Sequence, residues 1–273
     1  MIYSTNDLSA RAGQTTRAKA VTEKNVKPLG SKAYGSIPHL PGSRLGPGDH
    51  HCHEGQAIIC TQRARDRHDR VIVQEKLDGS CVAVAKVGGR ILALTRAGYE
   101  AHTSPWEQHQ LFEAWVWQEA YERLEGALYE GERLCGEWLA QAHGTRYELP
   151  HPPFVPFDLM VRDTRLPFGE FAERMAAAGF VTPRLIHDGG PFAVDDALAR
   201  LEPSGHGALD PVEGAVWRVE RRGQVDFLAK FVRADKVDGV YLPEVSGAEA
   251  VWNWRPGIAS VWLSPRVDTR ASS

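Results

Sequence analysis

One lysine in this sequence sits where chemistry is possible. Lys76 lies in the stretch VIVQEKLDGSCVAVAKV, flanked by Glu75 and followed by Asp78, Gly79 and Ser80. A lysine amine is a nucleophile only when neutral, and desolvation or a neighbouring cation brings it to that state. A lysine held at the end of a strand beside carboxylates fits such a role. Asp-Gly is also a common turn pair, so a plain surface turn between two strands explains the same letters. Lys-x-Asp-Gly alone leaves both readings open.

Further charged or aromatic intrusions follow in apolar, strand-like segments. They are Thr95-Arg96-Ala97-Gly98, Gly136-Glu137-Trp138, Phe157-Asp158-Leu159-Met160, Glu213-Gly214-Ala215-Val216 and Leu228-Ala229-Lys230-Phe231. Each has a bland reading on its own, as an edge-strand charge, a core aromatic or a solvated lysine. A charge inside an apolar strand needs a partner or water. Several in one chain converge if their strands form two facing sheets with a cleft between them.

The elements that must position these residues are legible in outline. VIVQEK, SCVAVAKV and ILALT read as strands, with Gly88-Gly89 as a hairpin turn between the last two. Ser104-Pro105-Trp106-Glu107 has the form of a capping box, with proline at the first helical position. The helix it predicts runs to Leu124 and stops near Gly126. Segments 133–140 and 154–161 read as strands, 169–179 as a helix ending at Gly179, 180–186 as a strand and 194–202 as a short helix. GAVWRVE and VDFLAKFV form a second hairpin around Arg222-Gly223. Residues 31–56 are dense in glycine and proline and read as an ordered loop. The mixed order, with hairpins in place of regular strand–helix alternation, predicts an α+β fold with antiparallel sheets.

Composition excludes some classes. The chain has 273 residues, 42% of them apolar, and a formal charge of −3. That is a globular composition, and the length suits one domain. No apolar run is long enough to cross a bilayer, and the N-terminus lacks the apolar stretch of a secretory signal, so the expected compartment is the cytoplasm. Cys52, Cys60, Cys81 and Cys135 are scattered and are expected as reduced thiols. The slight acidity argues against extended duplex binding, so contact with nucleic acid would need a local basic patch. Arg63, Arg65, Arg67 and Arg70 offer one, as a grip on phosphates or as a solvated face. Asp49-His50-His51-Cys52-His53 invites a zinc reading, but no second ligand pair follows at the usual spacing, and a polar loop explains it better.

Taken in order, these segments resemble the covalent nucleotidyltransferase superfamily of polynucleotide ligases and mRNA-capping enzymes. Lys76-Leu77-Asp78-Gly79 matches its lysine motif, and Arg96, Glu137, Phe157-Asp158, Glu213-Gly214 and Lys230 match its later motifs. The resemblance spans residues 34 to 233. It is greatest to the ATP-dependent RNA ligases, on the GEW and FDLMV segments. The residues after Arg233 are also too few for the OB-fold domain of DNA ligases and capping enzymes.

The resemblance implies an ATP-grasp-like domain of two antiparallel sheets flanked by helices, with a nucleotide cleft. Residues 1–30 would form an irregular leader. Residues 31–273 would form one adenylation domain with a short tail. It implies ATP and Mg²⁺ or Mn²⁺ as cofactors and RNA ends as partners, with no membrane and no named protein partner. Lys76 would form a lysyl-AMP, passed to a 5′-phosphate and displaced by a 3′-hydroxyl. Lys230 would touch the α-phosphate and keep Lys76 neutral, and Glu213 would hold the metal. Glu137 would bond the ribose and Phe157 would stack on adenine. Glu75, Asp78, Gly79 and Arg96 would complete the nucleotide site. The last motif commonly has two lysines one residue apart, whereas here Leu228 precedes Lys230, so Arg233 is expected to supply the second charge or the site is weaker. Two other readings stand beside this one. One is a GTP-using or DNA-end-directed enzyme of the superfamily, and the other a nucleotide- or RNA-binding module without turnover.

Overall fold

The computed structural model describes residues 26–256. The expected leader falls almost wholly outside these residues, as does the end of the tail.

Among the described residues, nine strands form two antiparallel sheets in an α+β arrangement. The first sheet has the order β7-β1-β8-β9, from β1 (Asp69–Lys76), β7 (Leu185–Gly189), β8 (Gly214–Arg221) and β9 (Gln224–Val232). The second has the order β3-β2-β4-β5-β6, from β2 (Ser80–Val87), β3 (Arg90–Thr95), β4 (Glu132–Trp138), β5 (Phe154–Val161) and β6 (Thr164–Arg165). Both predicted hairpins are present. Gly88 and Gly89, and Arg222 and Gly223, all have positive φ, as tight two-residue turns require.

Strand alternation gives each sheet a core face and a cleft face. In the first sheet Val71, Val73, Ala215, Trp217, Val219, Ala229 and Phe231 point away from the cleft. They pack on α1 (Glu54–Thr61) and α5 (Val194–Leu198) through Ala57, Cys60 and Ala197. The second sheet turns Val82, Val84, Leu134, Trp138 and Phe154 onto Phe112, Trp115 and Leu124 of the helical layer and onto Phe171. That layer comprises α2 (Glu107–Trp115), a π turn at Val116–Ala120, α3 (Tyr121–Ala127) and α4 (Phe168–Ala177). A four-residue α6 (Pro243–Ser246) follows β9.

Three local expectations shift. Helix α2 starts at Glu107, not at Pro105, because the Ser104 hydroxyl is engaged by His109 Nδ1 at 2.7 Å and takes the Trp106 N–H at 3.3 Å. The strand expected over 180–186 begins only at Leu185. Pro183 has no N–H for a ladder, and Phe180 is drawn into the core of the second sheet. The loop 31–56 is an ordered loop until Glu54, where α1 opens.

Candidate active site

The segment Leu77-Asp78-Gly79 is not a hairpin turn. Strand β1 pairs with β7 and β8, whereas β2 pairs with β3 and β4. The three residues therefore carry the chain from one sheet to the other. Lys76 is the last residue of the first sheet before the crossing, and Ser80 the first residue of the second. A Cβ on Gly79 would lie 2.5 Å from the Trp138 carbonyl oxygen, so only glycine lets the crossing pass this close to β4. The surface-turn reading of the lysine motif is thereby overturned.

Between the sheets lies a cavity of about 680 Å³. Lys76, Gln74, Val216, Arg218, Leu228 and Lys230 line it from the first sheet. Ser80, Cys81, Glu137, Phe157 and Asp158 line it from the second. Arg96, Tyr99, Trp106, His109 and His143 stand among its remaining walls.

Phe157 and Asp158 are neighbours in sequence yet both face the cavity. The register of β4 with β5 explains this: Cys135 opposes Asp158 while Gly136 opposes Pro156, so Phe157 is the extra residue of a bulge. Pro156, unable to donate to the ladder, sits at that irregularity. The Phe157 ring meets Tyr34 edge-on, with centroids 5.0 Å apart. Asp158 accepts from Tyr34 Oη at 2.5 Å and Arg165 Nε at 2.9 Å, and it pairs with Arg218.

Lys76 Nζ donates to Glu213 Oε2 at 2.5 Å. Burial pulls this amine down, but Glu213, Glu137 and Asp78 together outweigh it, and the amine stands above its ordinary value. Lys76 is thus an ammonium in the nucleotide-free protein. The expectation that Lys230 keeps it neutral does not hold in this state, because Glu213, Glu137 and Asp78 hold the proton on Lys76. Burial raises both Glu137 and Glu213 to about 7 against the pull of Lys76. Glu137 Oε1 accepts the Gly79 N–H at 3.0 Å, which ties β4 to the crossing. Lys230 is lowered by burial and then by Lys76.

Other expected site residues take different places. Glu75 lines the cavity, but its buried side chain is held by Ser204 Oγ at 2.5 Å, Gly205 N at 2.9 Å and Arg184 Nε at 3.2 Å. Asp78 is absent from the cavity wall and takes the Gly144 N–H and the Thr145 hydroxyl, so it fixes the loop after β4. Arg96 is exposed at the mouth and bonds Gly35 O and Ser36 Oγ. Arg233 pairs with Asp235 at 2.9 Å and does not reach the cavity. The parity of β9 puts 228 and 230 on the cleft face, and the chain leaves the strand before 233.

Two functional candidates were not apparent in the sequence. Arg218 is buried on the cavity wall and opposes Leu228 in the β8–β9 register. One guanidinium nitrogen serves Asp158 and, at 3.2 Å, Phe157 O; Nε and Nη1 have no partner among the described residues. The signal was available: Arg218 lies two residues beyond Val216 and so shares its face. The second is Gln74, two residues before Lys76. Its Nε2 donates to Pro183 O at 3.1 Å, which fixes the amide and leaves Oε1 without a donor among the described residues.

The remaining sequence candidates dissolve. Among the described residues no group of three His, Cys, Asp or Glu side chains is placed to hold a metal, and His50, His51 and His53 are exposed. All four cysteines are free thiols, as expected. Arg65 pairs with Asp69 and Asp226, and Arg70 with Asp188 and Glu220, so half of the basic run is spent on ion pairs away from the cavity. Among the described residues no helix is long and apolar enough to cross a membrane.

No curated protein matches the chain. Several solved structures do. An archaeal ATP-dependent RNA ligase is 22% identical over 60% of this chain and 42% of its own, with a TM-score of 0.40. A variant of the Naegleria gruberi RNA ligase with ATP and Mn is 16% identical over 72% and 59%, with a TM-score of 0.46. A putative ATP-dependent DNA ligase from Aquifex aeolicus is 16% identical over 73% and 49%, with a TM-score of 0.48. The chain thus spans about half the length of these proteins. The family described as RNA ligase matches residues 69–232, which run from the first residue of β1 to the last of β9 and hold both sheets. With more than half of its length in that match, the chain belongs to the RNA ligase family.

Proposed function

We propose that the protein is an ATP-dependent RNA ligase that works through AMP carried on Lys76. The observation that supports this best is the seat of Lys76 at the crossing between the sheets. There it faces Glu213 and shares one cavity with Glu137, Phe157 and Lys230. The described residues act as one nucleotidyltransferase domain.

Neutral Lys76 Nζ attacks the α-phosphorus of ATP. A P–N bond forms, the bond to the bridging oxygen breaks, and pyrophosphate leaves with that oxygen. The amine proton is lost to water in the cleft, and Glu213, 2.5 Å from Nζ, orients the amine. The AMP then moves to an RNA 5′-phosphate, restoring the Lys76 amine, and a 3′-hydroxyl displaces AMP to form the phosphodiester. Charge gathers on the phosphoryl oxygens, so catalysis is mainly positioning and electrostatics. Lys230 meets the α-phosphate, Arg218 adds a second cation from the next strand, and Phe157 stacks on adenine.

The carboxylates fit a divalent ion held by few protein oxygens, with water and phosphates completing its shell, as Mg²⁺ prefers. Glu213, with Glu137 behind it, would hold Mg²⁺ or Mn²⁺, which supplies charge neutralisation on the triphosphate.

Gln74 bears on the GTP alternative. With its amide nitrogen committed to Pro183, the free Oε1 accepts from an exocyclic amine at the base edge, as adenine offers, and repels a carbonyl in the same place.

Incubation with ATP and Mg²⁺ should add one AMP to the intact mass, and Lys76→Ala should not be labelled. GTP should give no adduct. An adduct on the alanine variant would remove Lys76 from its role. Tight ATP binding with no adduct on the wild type would favour a binding module.

A further inference from the structure

Lys230 is held from behind by a loop that precedes the family match. Residues 38–40 lie along β9: Lys230 N donates to Pro38 O at 2.9 Å and Leu40 N to Lys230 O at 2.8 Å. Farther along the same loop, Asp49 Oδ1 is 3.5 Å from Lys230 Nζ. Asp49 is the only carboxylate within ion-pair distance of this lysine among the described residues.

Asp49 is itself held. Its Oδ2 takes the Gly46 N–H at 3.0 Å and lies 3.1 Å from His39 Nε2, within ion-pair distance but without the angle of a hydrogen bond. His39 is buried, and its Nδ1 is 2.6 Å from Ser43 Oγ. Ser43 Oγ accepts the Val232 N–H at 2.9 Å and lies 3.4 Å from Arg44 O, to which its proton can be donated. The chain of contacts leaves β9 at the Val232 amide and returns to it at the Lys230 side chain. It runs through Ser43, His39 and Asp49.

We propose that Asp49, held by the Gly46 amide and flanked by His39, is the positioning residue for Lys230, fixing that ammonium against the cleft for the adenylation step. This rests on reading Lys230 as a contact to the α-phosphate. The physical need is plain. Burial and the neighbouring charge of Lys76 both press Lys230 to shed its proton, while Asp49 and Glu213 oppose them. Glu213 is shared with Lys76, so Asp49 is the dedicated counter-charge. A single lysine in the last motif makes its placement more costly to lose, since misplacement of about an ångström can cost on the order of a hundredfold in rate.

Two readouts test this. The first needs no activity: acetylation of the intact protein with limiting acetic anhydride across a pH series, with Lys230 and Lys86 read separately by peptide mass spectrometry. Asp49→Asn keeps an acceptor for Gly46 but loses the charge. It should move the Lys230 profile to lower pH and leave Lys86 unchanged. His39→Leu, which removes a polar neighbour of Asp49 and leaves its charge, should shift the Lys230 profile less than Asp49→Asn does. An unmoved Lys230 profile in Asp49→Asn overturns the proposal, whether or not the protein proves to be a ligase. The second readout is single-turnover adenylation. Asp49→Asn should slow it on the order of tenfold or more with little change in ATP affinity, and should have no further effect in a Lys230→Ala background. Additive losses, or a faster Asp49→Asn enzyme, would mean that Asp49 acts elsewhere or holds Lys230 back. If the wild type forms no adduct, the ligase reading fails and the acetylation profiles alone decide the role of Asp49.

Discussion

Lys76 Nζ and Glu213 Oε2 lie 2.5 Å apart, bridging the end of β1 and the residue before β8. On the proposed reading, the pair keeps the Lys76 amine as an ammonium until a nucleotide binds. The raised value of the amine sets the sign of a pH effect: below it, each unit of rise in pH increases the neutral fraction about tenfold. Single-turnover adenylation should therefore climb with pH from the acid side through neutrality. A rate flat between about pH 6 and 9 would show that loss of this proton does not limit the step.

Phe157 stands out on a bulge, edge-on to Tyr34 and open to the cavity. If it stacks on adenine, Phe157→Ala should weaken ATP binding roughly tenfold, and Phe157→Trp should bind nearly as well as wild type. Calorimetric titration with ATP measures both. A folded Phe157→Ala protein with unchanged affinity would end the stacking role, and a large drop in melting temperature instead would mark a core residue.

Arg218 lines the cavity and Arg233 does not, so the proposed second charge of the last motif falls to Arg218. Arg233→Ala should adenylate at close to the wild-type rate. Arg218→Met should lose a factor of about 10²–10³, the usual cost of one preorganised charge contact, and Arg218→Lys should recover part of it. Leu228→Lys places two cations directly opposite across β8 and β9, and should lower the melting temperature without raising the rate. Acceleration by Leu228→Lys would mean that Arg218 does not supply the missing charge.

His151 and His206 form a buried neutral pair outside the cavity, joined at 2.7 Å. The Arg184 N–H at 3.2 Å and the Pro152 carbonyl at 2.8 Å terminate the chain. Burial, then the neighbouring His151, lowers His206 to about 3, and burial lowers His151. A depressed histidine leaves its contribution intact above the unfolded value of about 6.5 and loses it as pH falls, because the unfolded chain then binds a proton the folded one refuses. His206 should thus cost about 1.4 kcal/mol per pH unit below that point. Glu137 and Glu213, held up to about 7, act with the opposite sign, so the readout is a difference. Urea midpoints at about pH 7 and 5 should converge in His151→Phe/His206→Leu relative to wild type. An equal loss in both proteins would exclude this pair as the source.

What the sequence determined by itself was chemistry in order. Strand periodicity, the two positive-φ hairpins and the charged intrusions were all readable, because alternation and turn residues are local properties. The motifs from Lys76 to Lys230 were legible as residue types. Tertiary pairing decided the rest. Whether Leu77-Asp78-Gly79 is a turn or a crossing depends on which strands take β1 and β2, and partners distant in sequence leave no local mark. Asp78 and Glu75 look like site residues in the motif, yet loop partners at Gly144, Thr145, Ser204 and Gly205 claim their side chains. The bulge that turns both Phe157 and Asp158 inward exists only in the β4–β5 register. Arg218 becomes a cleft cation through its place across from Leu228, and Asp49 meets Lys230 through a loop docked on β9 from about 180 residues away. Residue type and order belong to the chain, but which charges face one another is settled only when the two sheets close on a shared cleft.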